Sequence, residues 1–369
     1  MENIQGLIGL ENKILGKGSF GTVYLGTDIS KDKYVALKNI PPNIVNNPQN
    51  LQLLSNEILI SSEVQSENLV KILDLPEINN QKYIAYEYCN GGDLRRYIQF
   101  FQKFDEKLIQ YCMTQILKGL SELHSKGIVH HDLKPENVLV ELFPVDDKNK
   151  ISLEEKKSYE KIIDEILELT DKNRMSLNMD PTNRGFVLKS LLQSKIKLSD
   201  FGLSKFKGDN NEKMLSGSPL YMDPTLFIPN VPVTMVENEK VDIWALGVFA
   251  YELFFGYRPF NPRIQTLQEL IQILQRGQYF IDLRQCGRIS KQFLSFLNLC
   301  LQRQQNIRAT ANELLFTEFI TRDINKFDYI DLNNLRMTNF PNFNYVNYNN
   351  GLIIMNVDDQ RSVSMNFNL

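Results

Sequence analysis

The sequence is poor in the residues that build disulfide frameworks and metal centres. Its 369 residues include four cysteines and three histidines. The cysteines show no metal-ligand spacing and are too sparse to hold together a secreted scaffold, so we expect a reducing, intracellular and cytoplasmic setting. The histidines are likewise too few and too poorly spaced for a metal site.

Long hydrophobic runs are also absent. The longest apolar stretch, residues 244–255, contains Glu252 and falls far short of the roughly 20 residues that span a bilayer, so we expect a buried core helix and no transmembrane segment. The start, Met1-Glu2-Asn3-Ile4, lacks the basic region and apolar run of a signal peptide and the glycine of an N-myristoylation motif. We therefore expect neither feature.

Neither sign of charge is in large excess, since 41 Lys and Arg residues oppose 44 Asp and Glu residues. The net charge of −3 gives no basic field over the whole chain, which argues against nucleic-acid binding as the main function. Hydrophobic residues make up 43% and charged residues 23% of the chain, which permits a sizeable core and excludes global disorder. The length predicts two packed units, or one domain with large additions.

Strand-like patterns come first along the chain and helical patterns follow. Apolar and polar residues alternate over 8–40, and short apolar runs predict further strands at 69–75 and 83–88. Helical spacing occurs at 50–65, 93–101, 105–126, 239–255, 266–276, 290–302 and 310–321. This order predicts an α+β fold, in which a small β-rich unit joins a larger α-rich one near Cys89-Asn90-Gly91-Gly92.

Two segments depart from this order. Residues 141–195 are charged and end in a turn-rich stretch, and residues 323–369 contain 12 asparagines in 47 positions. Within the second segment, Asn349-Asn350-Gly351 lies between apolar alternations and predicts a β-hairpin.

The first motif with chemical meaning is the glycine-rich sequence from Leu15 to Val23, which follows G-x-G-x-x-G-x-V. Glycine lets backbone N–H groups approach phosphate oxygens, because no Cβ stands in the way. A dinucleotide-binding fold would need a helix directly after this loop. Residues 22–25 are instead typical of a strand.

Lys38 ends the sequence Val35-Ala36-Leu37-Lys38. It is either an exposed lysine at a strand end or a lysine held over phosphates. In the second case it needs an acidic partner, because an unpaired ammonium in a partly buried cleft is costly. Glu57 in the next predicted helix is the candidate.

Two further motifs complete a recognisable order. Residues 130–137 follow H-x-D-L-K-x-x-N, and residues 200–202 are D-F-G. With the glycine loop and V-A-L-K, they make residues 9–321 resemble the eukaryotic protein kinase family, in its serine/threonine branch. Local resemblance is greatest to the autophagy-initiating and calcium/calmodulin-type kinases, over residues 67–70, 88–94 and 217–222.

The resemblance implies a two-lobed kinase fold with an ATP cleft between the lobes. It assigns a β-rich N-lobe with one main helix to 9–86, a hinge to 87–90 and an α-rich C-lobe to 91–322. Two additions remain, an insert at about 141–195 within the C-lobe and an Asn-rich tail at 323–369.

The same resemblance assigns roles to individual residues. Asp132 would accept or orient the proton of the attacking hydroxyl, and Lys134 would steady the γ-phosphate. Asn137 and Asp200 would hold Mg²⁺ through oxygen atoms. Lys38 and Glu57 complete the catalytic set. The ATP contacts would come from Leu15, Gly16, Lys17, Gly18, Ser19, Phe20, Gly21, Val23, Ala36, Lys38, Glu87, Cys89, Asp93 and Leu139. Among them, Val23, Ala36 and Leu139 would hold the adenine ring between them, and Asp93 could reach the ribose.

Two departures from the family pattern bear on regulation. His131 replaces an arginine that normally docks a phosphorylated activation loop. Because histidine is a poor bidentate phosphate clamp, we expect a non-RD kinase that depends little on activation-loop phosphorylation. Thr225 replaces a glutamate that pairs with an arginine, here Arg308. Either another carboxylate such as Asp223 compensates, or this corner is looser.

Two more departures concern packing and length. Ser61 stands where the family has an apolar spine residue, which either weakens packing against Phe201 or is absorbed by local repacking. The separation of Asn137 and Asp200, 63 positions (200 − 137), exceeds the family's hairpin by roughly 50 residues. We expect the tip of this hairpin to lie away from the cleft mouth. A capping box at Ser152 predicts a helix over 152–170.

The predicted function is ATP- and Mg²⁺-dependent phosphorylation of serine and threonine in protein substrates. A weakly active or inactive kinase-like scaffold is the alternative, and an enzyme acting on small molecules is a third possibility. The length of the segment 200–224 and its Gly217-Ser218-Pro219 platform favour a peptide substrate. The insert helix either lies on its own domain or, like the tail, docks a regulatory partner. We expect Ser218 to be solvated or a phosphosite, and the Cys89 side chain to face solvent.

Overall fold

The computed structural model describes residues 8–18, 21–142, 161, 164–165, 181–207, 217–227, 238–259, 266–275, 288–331, 344–348 and 351–355. The chain divides into two compact units. The first comprises residues 1–102, 118–131 and 135–207, and the second comprises residues 103–117, 132–134 and 208–369. This division differs from the predicted lobes, whose boundaries stay predictions.

The first unit is built on an antiparallel sheet. Its strands are β1 (Ile8–Gly18), β2 (Gly21–Asp28), β3 (Lys33–Asn39), β4 (Ile72–Asp74), β5 (Glu77–Ile78) and β6 (Gln81–Glu87). They lie in the order β1-β2-β3-β6-β4, and β5 pairs with β6. On β3, Val35 and Leu37 are buried in a cluster with Tyr83 and Ala85, whereas Ala36 between them is half-buried. The period of two thus separates a core face from a partly open face.

The long helix of the sheet region starts at an asparagine cap. Helix α1 (Pro42–Val45) is short, and α2 spans Pro48–Glu63. The Asn47 side chain accepts hydrogen bonds from the backbone N–H groups of Gln49 and Asn50, which satisfies donors that a helix start leaves unpaired. Leu54, Glu57, Ile60 and Ser61 are buried. Because Glu57 lies three residues from Leu54 and from Ile60 and four from Ser61, these side chains share one helix face. The packed face therefore contains two polar residues, Glu57 and Ser61.

The rest of the first unit carries the D-F-G segment and the two ends of the H-x-D-L-K-x-x-N segment. Helix α3 (Leu94–Phe101) is followed by α4 (Glu106–Ser125), which contributes residues to both units. Strands β7 (Ile128–Val129) and β8 (Val138–Glu141) flank the H-x-D-L-K-x-x-N segment. Helix α5 (Pro181–Leu191) comes next along the described chain. Strands β9 (Lys195–Leu198) and β10 (Lys205–Phe206) flank D-F-G. Strand β8 pairs with β9, and β10 pairs with β7.

The second unit is mainly helical. It contains α6 (Lys240–Phe255), α7 (Leu267–Gln275), α8 (Lys291–Cys300), α9 (Ala311–Leu315) and α10 (Glu318–Thr321). Helix α6 is buried almost all round, as expected for a helix that is hydrophobic on every face. A Cβ at Gly247 would lie 2.7 Å from the Cys300 Cβ, so glycine lets α6 approach α8 closely.

The α+β class is confirmed. Each predicted helical segment contains a helix, but α1 and the short strands β5, β7 and β10 were not predicted, and two helical segments differ from expectation. Residues 310–321 form α9 and α10 rather than one helix, because Thr317 adopts an extended conformation between them. Residues 181–191, expected to be turn-rich, form helix α5. Val187 and Leu191, one turn apart, are both fully buried, so packing overrides the turn-forming residues that precede them.

One residue of the insert, Asp164, contacts β1 and α3 of the first unit. Most of the predicted helix over 152–170, including Ser152, lies outside the described residues, but Asp164 is helical. Its Oδ1 accepts a hydrogen bond from Arg96 Nη2 of α3 at 2.8 Å, and its Oδ2 lies 3.5 Å from Lys13 Nζ of β1. The insert therefore contacts its own unit, beside the elements that carry Asp93 and Leu15.

The tail also begins with a contact inside its own unit. Strand β12 (Tyr329–Asp331) pairs with β11 (Arg288–Ser290). The predicted hairpin is confirmed by the pairing of β13 (Asn344–Tyr348) with β14 (Gly351–Met355), although residues 349–350 of its turn lie outside the described residues. Among the helices that the structure describes, none has the length and apolar character that would let it cross a membrane.

Candidate active site

Lys38 and Glu57 form a buried ion pair in the first unit. Lys38 Nζ lies 2.7 Å from Glu57 Oε1 and 2.9 Å from Oε2. The two residues are 8% and 2% exposed, which rules out the reading of Lys38 as an exposed lysine at a strand end. Burial alone would lower the pKa of Lys38, but the charges of Glu57 and Asp200 outweigh it and raise the pKa above its ordinary value.

Asp200 presents a carboxylate near this pair, and Asn137 is tied to Ser199, the residue before Asp200. Asp200 Oδ1 lies 3.8 Å from Lys38 Nζ, and the Asp200 side chain is 44% exposed. Asn137 ends a 3₁₀ turn (Pro135–Asn137), and its backbone carbonyl accepts hydrogen bonds from the Ser199 N–H at 2.9 Å and the Ser199 hydroxyl at 3.1 Å. This tie holds the two chain segments together. A carboxylate and an amide oxygen are the donors that Mg²⁺ prefers, so the pair fits that ion.

The glycine-rich loop is shaped by the hairpin of β1 and β2. Gly18 pairs with Gly21 across the turn, while Ser19 and Phe20 lie outside the described residues. Gly21 has φ 154°, and a Cβ there would lie 2.2 Å from the Asn39 carbonyl oxygen. A Cβ at Gly16 would meet nothing within 4 Å. Glycine is thus required at Gly21 by packing, whereas at Gly16 it leaves the backbone approachable.

The predicted adenine contacts lie on partly open strand faces of the first unit. Val23, Ala36 and Leu139 are half-buried. On β8, the neighbours of Leu139, Val138 and Val140, are fully buried, so Leu139 faces away from that core. This alternation leaves three apolar side chains available to a flat ring, as the resemblance implies.

The segment predicted as a hinge differs from expectation at Cys89. Its side chain is 6% exposed, so the expectation that it faces solvent is wrong. Burial raises the pKa of the Cys89 thiol well above its ordinary value, which makes it a poor nucleophile. Glu87 at the end of β6 is anchored nearby, because its Oε2 accepts a hydrogen bond from Lys197 Nζ at 2.6 Å. The same ammonium lies 3.0 Å from Glu141 Oε2.

The remaining predicted ATP contacts are at least partly open to solvent, apart from those outside the described residues. Leu15 and Gly16 are half-buried and Lys17 is exposed. The Asp93 carboxylate accepts a hydrogen bond from the Arg96 N–H at 3.2 Å and caps α3. Burial raises the pKa of Asp93. Asp93 thus has a structural task besides the predicted contact with ribose.

Asp132 and Lys134 are brought together in the second unit, with Ser218 as a third member. Lys134 Nζ donates to Asp132 Oδ2 at 2.6 Å and to the Ser218 hydroxyl at 2.9 Å. The Ser218 N–H donates to Asp132 Oδ1 at 2.9 Å. Ser218 was expected to be solvated or a phosphosite; it is half-buried and bonds to both catalytic-loop residues, and its phosphorylation stays a prediction. The sequence feature that could have pointed to Ser218 is its position in Gly217-Ser218-Pro219.

The corner at Arg308 is closed by Asp223. The Arg308 Nη1 donates to Asp223 Oδ2, and both side chains are 0% exposed. Thr225 supports the pair, since its hydroxyl donates to Asp223 Oδ1 at 2.6 Å. Of the two alternatives that the missing glutamate left open, compensation by Asp223 is therefore correct.

Ser61 carries a polar atom into a packed position. It is 8% exposed, and its hydroxyl finds no hydrogen-bond partner within the described part of the chain. Phe201, which α2 packs near, is 2% exposed and stacks edge-on against His130 at 5.6 Å. The site thus bears the cost of a buried hydroxyl that the apolar residue of the family pattern would avoid.

We expect Ser61→Ala to raise the free energy of unfolding by about 1 kcal/mol, because the change removes a buried hydroxyl that has no partner among the described residues. Urea unfolding of the full chain measures the difference. Ser62→Ala is the matched control, since the Ser62 hydroxyl is exposed and donates to the Leu59 carbonyl at 2.7 Å. A clear loss of stability in Ser61→Ala would contradict the prediction.

Comparisons with known proteins agree with this geometry. A family model described as the protein kinase domain matches residues 10–320. Serine/threonine-protein kinase ULK1 of Homo sapiens is 30% identical over 311 residues, which cover 83% of this chain and 25% of that protein. Calcium/calmodulin-dependent protein kinase type 1B of Rattus norvegicus is 30% identical over 322 residues, covering 87% of this chain and 77% of that protein.

A third relative resembles the first in its proportions. Serine/threonine-protein kinase unc-51 of Caenorhabditis elegans is 32% identical over 265 residues, which cover 70% of this chain and 26% of that protein. The chain thus spans about a quarter of the length of two of these relatives and most of the length of the other.

Proposed function

Because the chain belongs to the protein kinase domain family, we propose that it transfers the γ-phosphate of ATP to serine and threonine hydroxyls of proteins. The observation that carries this proposal is the placement of Lys134 between Asp132 and Ser218, at 2.6 Å and 2.9 Å. An acceptor carboxylate and an ammonium held side by side suit a hydroxyl nucleophile and a phosphate, respectively.

The chain's own residues divide the chemistry between them. Lys38, kept charged by Glu57, binds phosphate oxygens, and the half-buried Val23, Ala36 and Leu139 bind the adenine ring. The substrate oxygen forms a bond to the γ-phosphorus, and its proton passes to Asp132. The bond from the γ-phosphorus to the β-phosphate oxygen breaks, and ADP leaves with that electron pair. Asn137 and Asp200 would hold Mg²⁺, which when bound neutralises charge on the phosphates.

Labelled ATP tests the proposal directly. The purified full chain is incubated with ATP labelled at the γ-phosphate and a mixture of proteins, and the labelled amino acids are identified after hydrolysis. We expect phosphoserine and phosphothreonine. Label confined to phosphotyrosine or to a small molecule would overturn the proposed substrate class, and transfer no greater than that of Asp132→Asn would overturn the enzymatic function.

Three departures from the family pattern, at Ser61, His131 and Thr225, favour the alternative of an inactive scaffold. One of them no longer does. Thr225 no longer marks a loosened corner, because Asp223 pairs with Arg308 there. Ser61 and His131 remain as departures that could reduce activity.

We further propose that activity does not depend on phosphorylation of the activation segment. His131 cannot supply the planar, doubly donating contact by which arginine docks a phosphate group. We expect treatment with a phosphatase to change the initial rate of phosphate transfer less than two-fold. A loss of most of the activity, restored when the chain is phosphorylated again, would contradict this proposal.

A further inference from the structure

Tyr86 contacts the buried ion pair of Lys38 and Glu57, although it is not one of the predicted catalytic residues. It lies on β6, opposite Ala36 of β3 and Ile72 of β4. Its phenol oxygen donates a hydrogen bond to Glu57 Oε1, the atom that also accepts from Lys38 Nζ at 2.7 Å. One carboxylate oxygen therefore receives a donor from each of two strands.

This second donor constrains the orientation of Glu57. Glu57 belongs to α2 and is 2% exposed, so water has little access to its oxygens and protein donors must satisfy them. Lys38 donates to both oxygens, but its ammonium can rotate and its stem is flexible. The ring of Tyr86 is held by packing against the cluster of Ile44, Leu54 and Ile84. The phenol is therefore the more rigid of the two donors.

The phenol also remains a donor under assay conditions. Burial and the charge of Glu57 raise the pKa of Tyr86 well above its ordinary value, so the proton stays on the oxygen throughout the neutral range. Hydrogen bonds to a charged acceptor are stronger than bonds between neutral groups. Loss of this one would free Glu57, and with it the Lys38 ammonium that lies 3.8 Å from Asp200.

We propose that Tyr86 is a positioning residue for phosphoryl transfer, whose phenol fixes Glu57 so that Lys38 stays directed toward the phosphates. The inference rests on the proposed function, because it assigns Lys38 to ATP. Tyr86 itself need not touch ATP for this role.

Tyr86→Phe tests the proposal, because it removes the hydroxyl and keeps the ring. We expect kcat/KM for ATP to fall about ten-fold, the loss expected for a hydrogen bond to a charged group. Tyr83→Phe is the matched control. Tyr83 lies on the same strand and packs with Val35 and Leu37, so this change should leave kcat/KM within two-fold. Rates are measured well below each variant's unfolding temperature.

A double-mutant cycle separates positioning from a general loss of structure. If Tyr86 acts through Glu57, removal of the hydroxyl from a Glu57→Gln chain should change kcat/KM for ATP less than two-fold, because the two effects are not additive. An undiminished ten-fold effect in that background, or unchanged kinetics in the single Tyr86→Phe variant, would overturn the proposal.

Calorimetric titration of ATP distinguishes failure of this inference from failure of the proposed function. If the wild-type chain binds ATP but transfers no phosphate, the proposed function fails. Tyr86→Phe should then still weaken ATP binding about ten-fold, and equal affinity of the two chains would overturn the positioning role as well.

Discussion

Asp132→Asn is expected to lower the rate of phosphate transfer at least about a hundred-fold, the lower end of the usual contribution of a general base. The asparagine amide cannot take up the proton of the substrate hydroxyl. It also cannot accept from both present donors without rearrangement, because Lys134 Nζ lies 2.6 Å from one oxygen and the Ser218 N–H lies 2.9 Å from the other. One of these donors would face an NH₂ group.

The measurement is the initial rate at saturating ATP, accompanied by calorimetric titration of ATP. We expect the dissociation constant for ATP to change less than about two-fold, since Asp132 is not one of the predicted ATP contacts and its assigned role concerns the proton of the substrate hydroxyl. Asp323→Asn is the matched control, because Asp323 caps an exposed turn, and it should keep the wild-type rate. Retention of more than a tenth of the rate by Asp132→Asn would contradict the assigned role.

The pairing of Lys38 with Glu57 could be anticipated from the sequence for physical reasons. A lysine at the end of a buried strand needs an acidic partner, and Glu57 is the acidic residue on the face of α2 that carries Leu54, Ile60 and Ser61. Helical spacing then directs it toward the sheet. The strands within residues 8–40 and the tail hairpin were also predictable, because alternation and turn residues are local signals.

Other parts of the site depend on contacts between residues far apart in the chain. Ser218 lies 84 positions from Lys134, and no local pattern shows that its N–H and hydroxyl meet the catalytic loop. Cys89 follows a strand within a glycine-rich stretch, which predicts exposure, yet packing buries it. The hydrogen bond from the Tyr86 phenol to Glu57 could not be predicted either, since a tyrosine on a buried strand is ordinarily a packing residue.

The pairing of Arg308 with Asp223, in place of the glutamate that the family pattern has at Thr225, is the clearest contact that the sequence left open. Sequence order places Asp223 two residues before Thr225, and both alternatives were consistent with it. In the structure Arg308 Nε also donates to the Gln302 carbonyl at 2.8 Å, and its guanidinium lies 5.2 Å from the Trp244 ring. These surroundings fix the arginine, so that a carboxylate on a shorter side chain than glutamate's can meet it.

Asp223→Ala is therefore expected to lower the free energy of unfolding by about 3–5 kcal/mol, the cost of removing one partner from a buried ion pair. Arg308 is 1% exposed as a residue, so water cannot replace the lost carboxylate. Gln305 Nε2, which lies 3.2 Å from Asp223 Oδ2, would lose an acceptor as well. Urea unfolding monitored by circular dichroism measures the change.

Two further variants make this result specific. Glu318→Ala breaks the exposed pair with Arg322, whose atoms lie 3.4 Å apart, and should cost at most about 0.5 kcal/mol. Thr225→Glu, introduced into the Asp223→Ala chain, restores the carboxylate of the family pattern and should recover part of the lost stability. A loss below about 1 kcal/mol in Asp223→Ala would show that Arg308 is satisfied by its backbone acceptors. In that case Asp223 would not be the residue that closes this corner.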